Sequence, residues 1–74
     1  MFRVTNRGMR AFYTERPDLT NREHLIIYVM LQIHEYEELF YIPKHRIVSE
    51  FTDEPQRTLG ALDSLMQKGL VKQK

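Results

Sequence analysis

Residues Leu25 to Ile33 form the longest apolar run of the chain, Leu-Ile-Ile-Tyr-Val-Met-Leu-Gln-Ile, and it restricts the fold more than any other stretch. A helix apolar on every side lies either at the centre of a core or inside a membrane, and this run falls well short of the ~20 residues that span a bilayer. It is read as a core helix around which one domain packs, with no membrane partner. A chain of 74 residues buries only about 60% of the surface its unfolded form exposes, so stability is expected to be marginal.

The flanking segments follow from local signals. Phe2-Arg3-Val4-Thr5 alternates apolar and polar as an edge strand does, Asn6-Arg7-Gly8 reads as a turn, and Met9, Phe12 and Tyr13 recur at helical spacing over about one turn. Residues 1–18 are thus an N-terminal arm, closed by the breaker Arg16-Pro17-Asp18. Thr20 and Glu23 have capping-box spacing, which starts the core helix; it spans residues 19–38. Glu35, Glu37 and Glu38 oppose the helix dipole at its end and invite a cation from elsewhere. Leu39 to Ile42 reads as a short strand stopped by Pro43. A second helix over 43–51 turns Ile47, Val48 and Phe51 inward, and Thr52 or Asp53 caps a third over 55–68 with Pro55 at its first position. In that helix Leu59, Leu62, Leu65 and Met66 face the core, and Lys68-Gly69 ends it before a strand over 70–74. The fold class is mainly α with a small β component, without repeats or low-complexity segments.

This order resembles the winged helix-turn-helix family: a long buried helix, a strand ending Ile42-Pro43, a two-turn helix, a turn, and an amphipathic helix closing on Lys68-Gly69-Leu70-Val71. The resemblance covers about Leu19 to Lys72, and Arg57 to Val71 is similar to the family's recognition helix and the glycine leading into its wing. The arm followed by Leu19-Thr20 also resembles the first domain of phage, plasmid and DnaD-like replication initiators. The resemblance implies three helices, short strands and a truncated wing, because the family's wing is a two-stranded hairpin and only its first strand fits before Lys74. It also implies a dimer on double-stranded DNA that regulates replication or transcription; the alternative is a winged-helix adaptor that binds another protein and no DNA.

On the DNA reading, Gln56 pairs with adenine and Arg57 with guanine, and Gly60 lets the backbone come close. Lys44, His45 and Arg46 hold phosphate together with Thr58, and Lys68 and Lys72 add cations. The bland alternative is a solvated face, with Gly60 giving clearance to a neighbouring helix. Few cations serve this surface, and Asp53, Glu54 and Asp63 lie beside Arg57, where they repel phosphate.

Net charge is only +1, but it is polarised: residues 1–24 carry five Arg against three acids, residues 25–43 carry only Glu35, Glu37 and Glu38, and residues 44–74 carry six cations against four acids. With no cysteine there is neither a disulfide framework nor a thiolate metal site, and no signal peptide or lipidation motif stands out, which fits a cytoplasmic protein. His24, His34 and His45 lack the i, i+4 spacing of a helical metal site. No nucleophile motif or phosphate-binding loop points to an enzyme, a cofactor or a small-molecule substrate. Eight Tyr and Phe side chains exceed what so small an interior needs. Phe12, Tyr13, Tyr36, Phe40 and Tyr41 are therefore candidates for a homodimer interface, with Arg3, Arg7 and Arg10 of one copy meeting Glu35, Glu37 and Glu38 of another.

Overall fold

The computed structural model describes residues 1–14 and 19–74; the expected breaker Arg16-Pro17-Asp18 lies outside them. The elements run β1 (Phe2–Val4), α1 (Asn6–Tyr13), α2 (Asn21–Tyr36), α3 (Lys44–Val48), α4 (Pro55–Gln67) and β2 (Val71–Gln73). The protein is mainly helical, with a small two-stranded antiparallel sheet. Four helices stand among the described residues, one more than expected.

The extra helix comes from Thr5. Its hydroxyl accepts from Gly8 N–H at 3.0 Å, so Asn6-Arg7-Gly8 becomes the first turn of α1 instead of a free turn. The same hydroxyl donates to Gly69 O at 2.9 Å, and Thr5 N–H donates to Leu70 O at 3.1 Å, which fastens the start of α1 to the end of α4. Gly8 sits in that joint. A Cβ there would lie 2.1 Å from Leu70 O and 2.9 Å from a Val4 methyl, so only glycine lets the two backbones approach.

α2 begins with the full capping box: Glu23 N–H donates to Thr20 Oγ1 at 3.1 Å and Thr20 N–H to Glu23 Oε1 at 2.8 Å. Ile26, Ile27, Met30 and Ile33 are buried against the other elements. The helix is not central on every side, however. Leu25, Tyr28 and Tyr36 face solvent, because α1, α3, α4 and the sheet surround only part of its circumference. α2 closes at Glu37, and Glu38 takes a left-handed φ of 55°. That turn, with Pro43 following, leaves no room for the expected strand over 39–42. Only Ile42 pairs, exchanging backbone bonds of 2.8 and 2.7 Å with Phe2. His34 braces the bend, its Nδ1 lying 2.6 Å from Leu39 O and its Nε2 accepting from Val4 N–H at 3.3 Å.

β1 therefore lies between Ile42 and β2, antiparallel to both, with Phe2 opposite Gln73 and Val4 opposite Val71. β2 pairs with the start of the chain and not with a returning strand of its own. The second expected helix is shorter than 43–51: α3 stops at Val48, and turns carry the chain on, with Ile47 fully buried and Val48 and Phe51 half-buried. α4 is capped by Glu54 without a side-chain bond, not by Thr52 or Asp53, both of which are exposed. It ends as the glycine signal requires. Gly69 at φ 75° closes a Schellman turn, with Leu70 N–H donating to Leu65 O and Gly69 N–H to Met66 O, both at 3.0 Å. Leu62 and Leu65 of α4 join Ile26, Met30, Ile47 and Leu70 in one core.

Candidate nucleic-acid interface

α3, the turn after it and α4 present the surface expected to read DNA. Along α4, Thr58, Leu62 and Leu65 are buried, which fixes the helix's rotation and turns Gln56, Arg57, Gly60, Asp63 and Gln67 outward on one face. Gly60 is exposed, and a Cβ built there meets nothing within 4 Å. It therefore gives no clearance to a neighbouring helix, which corrects that alternative. Gln67 donates to Asp63 Oδ2 at 3.2 Å, bridging one turn of the same face. Lys44 and His45 are exposed at the start of α3, and Lys72 is exposed on β2.

Three residues expected to contact phosphate are committed inside the protein. Thr58 is fully buried; its hydroxyl accepts from Arg22 Nη1 at 3.3 Å and donates to Glu54 O at 3.1 Å. No phosphate can reach it. Arg46 bridges Glu37 at 2.5 Å and also binds Glu50, which pins α3 to the acidic end of α2. The bonds to Glu50 and Glu37 push its guanidinium above the ordinary arginine value. Lys68 donates to both Glu23 carboxylate oxygens, at 3.0 and 2.9 Å.

Glu23 is the buried polar centre of the fold and was legible only as a cap. Its side chain is 2% exposed and also accepts from Ser64 Oγ at 3.0 Å. Burial alone would raise its carboxyl. The bonds from Thr20 N–H, Lys68 and Ser64 outweigh that and hold it below the usual glutamate value. Glu54 plays a similar part nearer the surface, taking Arg22 at 2.5 Å and Arg57 more loosely at 3.6 Å. Arg57 stays largely in solvent.

The five aromatic residues expected to share one interface divide into two groups. Phe12 stacks near Tyr28, with centroids 6.1 Å apart, and touches His24 and the edge of Tyr13. Tyr36 lies on the same exposed side of α2, where it lines a shallow groove of about 270 Å³ with Tyr28, Val29 and Gln32. Phe40 and Tyr41 sit elsewhere, beside the sheet: the Arg3 guanidinium lies 5.5 Å over Phe40 and the Lys74 ammonium 5.2 Å over Tyr41. Leu25 and Tyr28 were not singled out, although their i, i+3 spacing places them together on one side of α2. Among the described residues no group of three or more His, Asp or Glu side chains is placed to hold a metal, and no helix is long and apolar enough to cross a membrane.

No family model matches the chain, and neither a curated protein nor a solved structure does.

Proposed function

We propose that this chain is a winged-helix domain that binds duplex DNA through α4, in the control of replication or transcription. The order α2, Ile42 bridge, α3, turn, α4, β2 supports the reading, with β1 taking the edge of β2 where a wing hairpin would return. One observation carries it: the outward face of α4 holds Gln56 and Arg57 one turn before an exposed glycine that nothing in the fold requires. Glycine inside a helix costs about 1 kcal/mol relative to alanine, so its place there fits a surface approached closely by something outside the chain. In this reading Gln56 and Arg57 meet base edges in the major groove, while Lys44, His45 and Lys72 face phosphates.

The second reading is an adaptor that docks a protein on α4. The ion pairs favour it, since Arg46 and Lys68 are held by internal carboxylates and Arg57 shares Glu54 with Arg22. Salt-dependent fluorescence anisotropy on labelled duplexes separates the two readings. With Lys44 and Lys72 as the phosphate-facing cations, log affinity falls by about 2 units per decade of salt for each protomer. Arg57→Ala relaxes sequence preference by about 1 to 3 kcal/mol, and Lys44→Ala weakens all sequences alike and lowers the slope by about 1. Absence of duplex binding at low salt, or binding indifferent to both substitutions, leaves the adaptor reading.

A further inference from the structure

Among the described residues, one side of α2 is left largely open, with only Phe12 against Tyr28. Asn21, Leu25, Tyr28 and Val29, Gln32 and Tyr36 are linked by three- and four-residue steps, Tyr28 and Val29 side by side, and form a continuous stripe along the helix. Leu25, Tyr28 and Tyr36 leave 51, 48 and 75% of their surface in solvent, and Tyr13, against Phe12 at the stripe's edge, leaves 72%. At roughly 150 to 250 Å² for each large aromatic side chain, the stripe exposes on the order of 500 Å² of mostly apolar surface. Two such stripes facing each other bury on the order of 1,000 Å², the lower limit for a specific interface.

We infer that a second copy of this chain docks on this stripe, α2 against α2 in antiparallel register about a two-fold axis. Charge selects both the partner and the direction. The carboxyl end of α2 bears Glu35, Glu37 and Glu38, and Glu35 and Glu38 form no ion pair among the described residues. The amino end offers exposed Asn21 and the positive end of the helix dipole; Arg22 is drawn away to Glu54 and Thr58, and Glu23 is turned inward onto Lys68. A two-fold, antiparallel pair sets each acidic end against the other copy's amino end. A parallel pair stacks acid on acid. The stripe is thus complementary to itself, as an isologous interface must be. Centring it places Leu25 of one copy against Tyr36 of the other, and the axis crosses between Val29 and Gln32. Phe40 and Tyr41, on the sheet side, take no part. The inference is independent of DNA binding.

The chain has no native cysteine, so thiols can be introduced one at a time. Sedimentation equilibrium of the unmodified chain shows reversible monomer–dimer exchange. Leu25→Glu and Tyr28→Glu each raise the dissociation constant about tenfold or more, since a few large apolar anchors carry most of the affinity of a small interface. Phe40→Glu leaves it unchanged. On oxidation, the double variant Leu25→Cys/Tyr36→Cys closes into covalent dimers, whereas Leu25→Cys alone does not, its two thiols lying on the order of 16 Å apart at 1.5 Å per residue. Purely monomeric protein at the highest concentration overturns the inference. So does dissociation by Phe40→Glu but by neither α2 variant, or self-cross-linking by Leu25→Cys alone, which marks a parallel pair.

Discussion

Gly60→Ala tests the α4 face from two directions at once. Gly60 has no left-handed φ, is exposed in the middle of α4, and a Cβ there meets nothing within 4 Å. The fold therefore loses nothing by the substitution and gains the full difference in helix propensity, about 0.8 to 1 kcal/mol. For a domain of this size that raises the melting temperature by roughly 4 to 8 °C. Thermal unfolding followed by circular dichroism measures the first effect. If the helix face lies against DNA, the added methyl group also pushes the backbone out of the groove, and anisotropy shows binding weakened by about 1 to 3 kcal/mol, the ordinary cost of overpacking a fitted contact. A lower melting temperature would mean that α4 is packed on this side after all. A more stable variant that binds DNA as well as the parent refutes the argument that the bare backbone is there for a close approach.

Gly8→Ala is the converse, because a Cβ at that position lies 2.1 Å from Leu70 O; it destabilises the protein by roughly 1 to 3 kcal/mol or more, and a melting temperature at or above the parent's contradicts the close joint between α1 and the end of α4. Leu62→Ala removes a buried side chain of α4 and costs roughly 2 to 5 kcal/mol in urea unfolding. Glu23 has its carboxyl held below the ordinary value, so the stability it contributes is present above the unfolded value and is lost as pH falls through the folded one. Lys68→Met removes a bond that lowers that carboxyl, so acid unfolding starts at higher pH than in the parent, as an acid titration by circular dichroism shows.

The start of α2 and the end of α4 were legible because their signals are local. Thr20 and Glu23 are three residues apart, and Lys68-Gly69 announces the end of α4 within two residues. What sequence could not supply depends on residues far apart in the chain. Thr5 caps α1, but its hydroxyl is oriented by Gly69, so Asn6-Arg7-Gly8 looked like a turn when read alone. The run Leu25 to Ile33 looked apolar all round because composition does not reveal how many neighbours a helix will have; Leu25 and Tyr28 are left outside. Among the candidate site residues, Gln56, Arg57, Gly60, Lys44, His45 and Lys72 lie on the surface, whereas Thr58 is buried. An N-terminal threonine in α4 gives no sign in sequence that Arg22, thirty-six positions earlier, will reach its hydroxyl.

The distribution of acids decides how strongly the α4 face can attract phosphate. Arg46 lies between two carboxylates, Glu37 and Glu50, so its charge is already balanced within the chain. Arg57 is different, because its 3.6 Å pair with Glu54 is largely in solvent, and such pairs contribute little. Glu54 keeps Arg22 when Arg57 turns away. The remaining obstacle is Asp63, exposed one turn beyond Gly60 on the same face and bonded only to Gln67 among the described residues. Asp63→Asn keeps an acceptor for Gln67 and removes the charge. With a phosphate on the order of 7 Å away in water, that relieves roughly 0.6 kcal/mol, about a threefold gain in duplex affinity at low salt that shrinks as salt is added. The melting temperature stays at the parent's value, so a gain in binding cannot be assigned to a firmer fold. If Asp63→Asn leaves duplex affinity unchanged across the salt series, phosphate does not approach this turn of α4, and the face serves a protein partner instead.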